Sequence, residues 1–495
     1  AGKLDLPVLM LTKIKEISKT DNQGVCLMAP DDRNKIMAVY RNSFKNPDRK
    51  KFKAPAKEFM QLWDAGDDGK QPNATMVMAA ENARLDLLEP TQGYKKGGVE
   101  RVRNQAAGVD AAQWNFIGPG NIGGRIRAIL IDPRNSNRLL VGAASGGIWL
   151  STNGGQSFTA VQDFMGNLAI GSMAQDPNNP NIVYAGTGES FAGLYGIGMF
   201  KSIDSGITWN YLSSTTTDTA QNPIGDDWGS VNRIAVSRAN SNLILAGTSK
   251  SSNLTQGALL RSTDAGASWA KVGSFLTLDV KFDPNNANNV LAAGEDGSVY
   301  LSNNSGVSWT KIGPLAATTT GRSGTARIEI AWATNVPDLV YLSYDNNKGE
   351  IWKSTDGGLT WALVSNPKHL SDQGDYANTI WVSPTDSNNL VVGGLDLHQT
   401  QDGGLNFSRI STWQSAGGGL PQPHADHHVI VSVPDFSSGN PVVYFGNDGG
   451  VYRSNNISTA NSNGTSSWVN LNNNMGITQF YGGAGSRAAG GKIIG

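Results

Sequence analysis

A single cysteine, Cys26, stands in 495 residues, so no disulfide can form within the chain and cysteine usage points to no compartment. Charge is sparse as well. Only 16% of residues are charged and the formal net charge is −1, without the basic surplus that a nucleic-acid partner requires. No apolar run reaches the roughly 18 residues of a membrane span, which argues against membrane insertion. At the start, charges are scattered through residues 1–19, where a signal peptide would have its apolar stretch. If the protein is exported, the expectation is that its signal peptide is already absent.

What charge there is lies unevenly. The first 112 residues hold 19 Lys+Arg and 15 Asp+Glu, roughly 30% charged, whereas the remainder is roughly 12% charged. A boundary near residue 112 follows. Beyond it lie 12 of the 13 tryptophans and most of the 60 glycines, mixed with Asn, Ser and Thr, the composition of short strands joined by tight turns. Before it, Phe59, Leu62 and Trp63 fall at helical spacing, and residues 76–88 read similarly. Residues 1–112 are therefore expected to form an extended arm with short helices. Its basic run at 49–53 reads as solvated surface, or else as a docking patch for a partner.

The remainder repeats itself. Ser or Thr, any residue, Asp or Asn, any residue, usually Gly, two more residues and then Trp or Phe occurs at 151–158, 202–209, 262–269, 302–309, 354–361 and 400–407, with a stretched copy from Ser454 to Trp468. First residues are separated by 51, 60, 40, 52, 46 and 54 positions, close to the period of a four-stranded propeller blade. Each period carries a second turn before an apolar run, as at 176–181, 283–288 and 383–388. One unit then reads as strands at 379–382, 390–392 and 397–400 and a fourth from Phe407. A blade cannot bury both of its faces alone, so the units must stack around an axis. The expected fold is an all-β propeller of four-stranded antiparallel blades, seven of them within 113–476. Residues 477–495 are expected either to close the ring or to begin a further blade.

The third residues of the repeats, Asn153, Asp204, Asp264, Asn304, Asp356, Asp402 and Asn456, have a local explanation. A carboxylate or amide at that place accepts turn N–H groups, glycine takes the positive-φ position, and the aromatic packs between blades. They are read as structural. Catalysis needs convergent groups, and these stand one per blade.

The repeats resemble the BNR/Asp-box β-propeller family, which includes sialidases, xyloglucan-active glycosidases and sortilin-type receptors. The resemblance covers about three quarters of the chain. Three stretches, 114–126, 446–454 and 477–481, are similar in motif to large secreted Bacteroidetes proteins labelled glycosyl hydrolases, many of which leave the cell by type IX secretion. An extracellular or cell-surface location is what that resemblance implies. Sialidases hold a carboxylate with an arginine triad and an aromatic-Arg-Ile-Pro segment, and the nearest match here, around Arg125 and Arg127, lacks both the aromatic and the proline.

Functional groups are expected at the end opposite the repeat turns, on the loops between second and third strands and between blades. Those loops carry Glu189, Asp226, Asp375, Tyr376, Asp396, Trp413, His424, Asp426, His427 and His428. Asp375 and Asp426 are the candidate catalytic carboxylates, because glycoside hydrolysis needs an acid and a base or nucleophile a few ångströms apart. Glu189, Asp226, Tyr376, Asp396, Trp413, His424 and His427 are the candidate ligand-binding residues. On an extended backbone His424, Asp426 and His428 would share a side, a weak metal-ligand pattern; no cofactor is expected. The expected function is that of a secreted or cell-surface propeller binding glycan or protein partners through its loop face; the alternative is a glycoside hydrolase acting on a polysaccharide with paired carboxylates on that same face.

Overall fold

The computed structural model describes residues 119–479, apart from 163–164, 192–193, 218–220, 250–256, 316–325, 416–421 and 463–466, together with 484–485 and 493–494. The arm at 1–112, with its helical spacings and basic run, lies outside the described residues.

The described residues form seven four-stranded antiparallel sheets, each built from four strands consecutive in the chain. Together they make a seven-bladed β-propeller. The sixth blade shows the pattern: Thr379–Val382, Leu390–Gly393, Leu397–Thr400 and Ser408–Arg409, paired in that order. Second strands such as Val183–Thr187, Val290–Gly294 and Val340–Tyr344 are buried along their whole length. With a neighbouring blade on each face they read as continuous apolar runs rather than alternating ones.

Seven apolar clusters hold the ring, one for each interface between blades. Leu140 and Ile148 of the first blade meet Met173 and Phe200 of the second. The last interface, between the seventh blade and the first, packs Tyr444, Val451, Leu471 and Ile477 against Ile126, Leu139 and Val141. Among the described residues closure is therefore by packing and not by exchange of a strand. Hydrogen bonds from the backbone N–H of Phe158 to the Asn473 carbonyl (3.2 Å) and from the Tyr444 hydroxyl to the Gly154 carbonyl (3.1 Å) cross the same seam. Ala484–Gly485 pairs with Ile493–Ile494 in a separate two-stranded ladder that supplies no strand to the seven sheets.

Six repeat turns are built alike. In the second blade the Ser202 hydroxyl donates to Asp204 Oδ1 (2.7 Å) and accepts from the N–H of Gly206 (2.8 Å). Asp204 Oδ1 also accepts the N–H of Thr208 (2.9 Å) and Oδ2 its hydroxyl (2.6 Å). Ser205 and Gly206 both have positive φ, 64° and 87°, and the second is glycine because a Cβ there would also collide with the Leu140 side chain. The stretched seventh copy differs. The Ser454 hydroxyl has no hydrogen-bond partner, and Asn456 instead accepts from the N–H of Ser458 (3.0 Å), capping a short turn. Trp468 still packs at the blade interface, edge-on to Phe445 at 5.2 Å.

Candidate functional site

Antiparallel pairing puts the repeat turns at one end of the ring and the starts of the first strands at the other. At that second end, five of the seven first strands carry one residue more than their partners: Arg127, Gly171, Asn232, Leu278 and His428 interrupt the pairing. Such bulges re-aim a side chain out of the ladder. Arg127 and His428 sit on adjacent first strands and meet, Nη1 to Nδ1, at 2.8 Å. A guanidinium can only donate, so His428 Nδ1 accepts and the ring hydrogen is on Nε2, which donates to Asp448 Oδ1 at 2.7 Å. His428 is thus held neutral. Burial first, and the Arg127 charge second, push its pKa far below the usual value.

Asp448 is the hub of this network. It occupies the tight turn between Val443–Asn447 and Gly450–Ser454, and also accepts from the Tyr376 hydroxyl (2.6 Å) and from Arg125 Nε (3.1 Å). Burial raises its pKa, but the bonds from His428, Arg125 and Tyr376 outweigh burial and hold it far below the carboxylate range. Arg125 continues to Glu189 at 2.9 Å, and Glu189 lies 3.6 Å from Arg127.

A second group completes the belt. Arg327 donates to Glu329 (2.6 Å) and to the carbonyls of Tyr376 (2.7 Å) and Asn378 (3.1 Å). Glu329 also accepts from Arg233 (2.7 Å), which pairs with Asp279 at 2.8 Å. The Phe191 ring links the two groups, 4.9 Å from the guanidinium carbon of Arg127 and 4.5 Å from that of Arg327. All four arginines are engaged by carboxylates, carbonyls or imidazole. Burial lowers the pKa of Arg127 to about 10, the cost of crowding guanidiniums in one enclosed place.

The candidates named from the sequence have different fates. Glu189 is consumed as a counter-ion for the arginines. Tyr376 is engaged by Asp448 through its hydroxyl, and its ring lies edge-on to His428 (5.2 Å) and 5.2 Å from the guanidinium carbon of Arg125, so it is not an open platform. Asp396 accepts the N–H of Trp413 (2.8 Å) and lies 3.7 Å from Arg409, with its pKa raised by burial. Asp226 is half-buried in the turn Gly225–Trp228, while its neighbour Asp227 pairs with Lys271 at 3.0 Å. His424 is exposed. His427 is fully buried without a hydrogen bond on either ring nitrogen, and burial pushes its pKa down to about 3.

His424, Asp426 and His428 do not share a side. Asp426 has φ 64° and so breaks the extended run, and both ring nitrogens of His428 are occupied. Among the described residues no group of three or more His, Cys, Asp or Glu could hold a metal.

Asp375 is half-buried on the loop entering the sixth blade. Beside it stands Asp345, just after the second strand of the fifth blade, 5% exposed and not foreseen from the sequence. A Cβ on Gly374 would fall 2.1 Å from Asp345 Oδ1, so only glycine lets this loop approach so closely. Burial, reinforced by Asp375, raises the pKa of Asp345 to about 7. Asp448, Arg125, Arg127 and Arg327 were also missed as site residues. For the three arginines the available signal was a charged residue at the start of a first strand that is otherwise mostly apolar; Asp448, in a turn between second and third strands, carried no such signal.

No family model matches the chain. Two curated proteins align with half of it: a xyloglucanase of Hypocrea jecorina, 29% identical over 256 residues, and one of Paenibacillus sp., 27% identical over 270 residues. The chain is similar to xyloglucanases. It spans 28% and 23% of the length of these two relatives, and the alignments cover 50% and 52% of the chain. Among solved structures, the GH74 xyloglucanase of Xanthomonas campestris matches 72% of the chain and 55% of its own, at 19% identity and TM-score 0.54. An ancestral GH74 enzyme matches 71% of the chain and 47% of its own, at 20% identity and TM-score 0.54. The structural matches support the propeller fold. No helix among the described residues is long and apolar enough to cross a membrane.

Proposed function

We propose that this propeller is a glycoside hydrolase acting, outside the cell or at its surface, on a neutral polysaccharide of the xyloglucan kind. The observation that carries the reading is the similarity to two xyloglucanases across half of the chain. The site is the loop end of the ring, with Asp375 as acid, Asp426 as base and half-buried Trp413 as an apolar face for a sugar. A neutral substrate suits this end, because Arg125, Arg127, Arg233 and Arg327 are all engaged within the protein. An acidic sugar would have to displace those partners.

Reducing-end release from xyloglucan, measured beside an unbranched β-glucan and an acidic polysaccharide, tests the proposal. Release from the neutral polymers is expected, with a loss on the order of 100-fold or more in Asp375→Asn. Saturable binding without release from any polymer would overturn the hydrolase reading in favour of a binding module.

A further inference from the structure

We propose that Glu189 is a charge filter: its carboxylate fills, from within the chain, a carboxylate site made by Arg125 and Arg127, and so keeps acidic sugars from the loop end of the ring. The inference rests on the reading of that end as the seat of a neutral polysaccharide, and names the residue that makes the choice.

Three observations carry it. The first is how the carboxylate arrives. Glu189 lies on the loop between Val183–Thr187 and Met199–Ser202 of the second blade, where its N–H donates to the Leu194 carbonyl (2.8 Å) and its carbonyl accepts from the Leu194 N–H (2.9 Å). This small hairpin carries the side chain to the first blade, with Arg125 Nη1 at 2.9 Å and Arg127 Nη1 at 3.6 Å. It also reaches across the central opening. Phe191 lies against Arg327 of the fifth blade as well as Arg127, and the Ser190 hydroxyl donates to Asn232 Oδ1 of the third (3.1 Å). The counter-charge thus comes from a loop of another blade, not from the strand that carries Arg127.

The second observation is what the arginines would be left with. Arg127 otherwise meets His428 Nδ1, a neutral acceptor, and Arg125 shares Asp448 with His428 and Tyr376. The third is the fit. Glu189 Oε1 makes no hydrogen bond although its side chain is only 1% exposed, so the loop carboxylate does not use everything two guanidiniums offer. Arg125 and Asp448, at 12% and 21%, keep a path to solvent beside it.

Guanidiniums side by side and out of water need a counter-charge, and their planar fork suits a carboxylate. A uronic acid would bring the same group that Glu189 already supplies, but it would have to displace a carboxylate tethered to the chain and approach past the negative Asp448. A neutral sugar meets neither obstacle. With the glutamate gone, Arg127 faces only a neutral ring, and an external carboxylate becomes its best partner.

The test is Glu189→Ala, which keeps both arginines and opens a space where the carboxylate stood. Thermal midpoints of variant and wild type are compared in sodium acetate and sodium chloride of equal ionic strength at pH 7. Acetate at about 0.1 M should raise the midpoint of the variant by roughly 2 °C or more above chloride and leave the wild type unmoved. If the variant folds only in acetate, that dependence is itself the supporting result. Equal responses of the two proteins, or no acetate effect in either, overturn the filter. Affinity electrophoresis supplies a second readout: polygalacturonate should retard Glu189→Ala in a salt-sensitive way and leave the wild type free, and retardation of the wild type would overturn the proposal. Reducing-end release from xyloglucan by the wild type is scored separately. Its absence removes the hydrolase reading, whereas acetate and polygalacturonate still decide whether Glu189 filters charge.

Discussion

A single side chain in this propeller is assigned by what its oxygens touch. Asp264 and Asp356 accept the N–H and hydroxyl of Ser268 and Thr360, and hold the serine that opens their turn. Those bonds depress both carboxyls. Asp264→Ala and Asp356→Ala should each destabilise by about 1 kcal/mol and leave turnover unchanged. Asn456→Ala should cost less, because it removes only a cap on Ser458. Urea unfolding of the three variants beside xyloglucan assays checks this; selective loss of turnover in either aspartate variant would show a functional role. Asp448 has the same side chain in a different setting, where buried His428, Tyr376 and Arg125 converge on it.

At the scale of elements, the fifth to seventh blades and their loops carry all five histidines, His369, His398, His424, His427 and His428. Burial is the first cause depressing four of them, to about 4 for His398 and about 3 for His427. The unfolded chain binds these protons near pH 6.5 and the native state does not. Each such histidine therefore withdraws stability as pH falls below about 6.5, until the native state also takes up the proton. The slope is about 1.4 kcal/mol per pH unit for each histidine. Asp345 acts in the opposite direction: its raised pKa contributes stability at low pH that is lost as pH rises through about 7. As pH is lowered from 6 to 4, urea midpoints should fall less steeply in His427→Gln than in the wild type, by about one proton's worth of slope. Parallel pH profiles would mean that His427 is protonated in the native state over this range.

The seven blades of the described residues form a ring, so each seam between blades contributes to its closure. Leu471, 2% exposed, fills the seam between the seventh and first blades, where Gly155 is too close to accommodate a Cβ. Leu291, fully buried, fills the seam between the fourth and fifth. Leu471→Ala and Leu291→Ala should each cost about 2–5 kcal/mol through the cavity left behind. Calorimetry should show one lowered transition in both variants. Two separated transitions in Leu471→Ala would mean that the closing seam opens before the rest of the ring unfolds.

Much of this architecture is local, and so it was legible in the chain. Repeat turns at a period of 40–60 residues, apolar runs between them and strands such as Thr379–Val382 follow from short-range hydrogen bonding and from the need of each blade to cover both faces. Tyr376, on the loop before the sixth blade, meets His428 on the first strand of the seventh, a contact that the stacking of neighbouring blades allows. The seventh repeat was misleading, because its residue types are right but its spacing no longer closes the turn. The charged belt depended on the ring itself. Arg127 and His428 are 301 positions apart, and each is turned by a bulge that no residue type announces. Asp345 looked like any other loop aspartate. Its raised pKa arises only when Gly374 lets the next blade's loop close over it and shut out water, because desolvation is a property of the assembled neighbourhood.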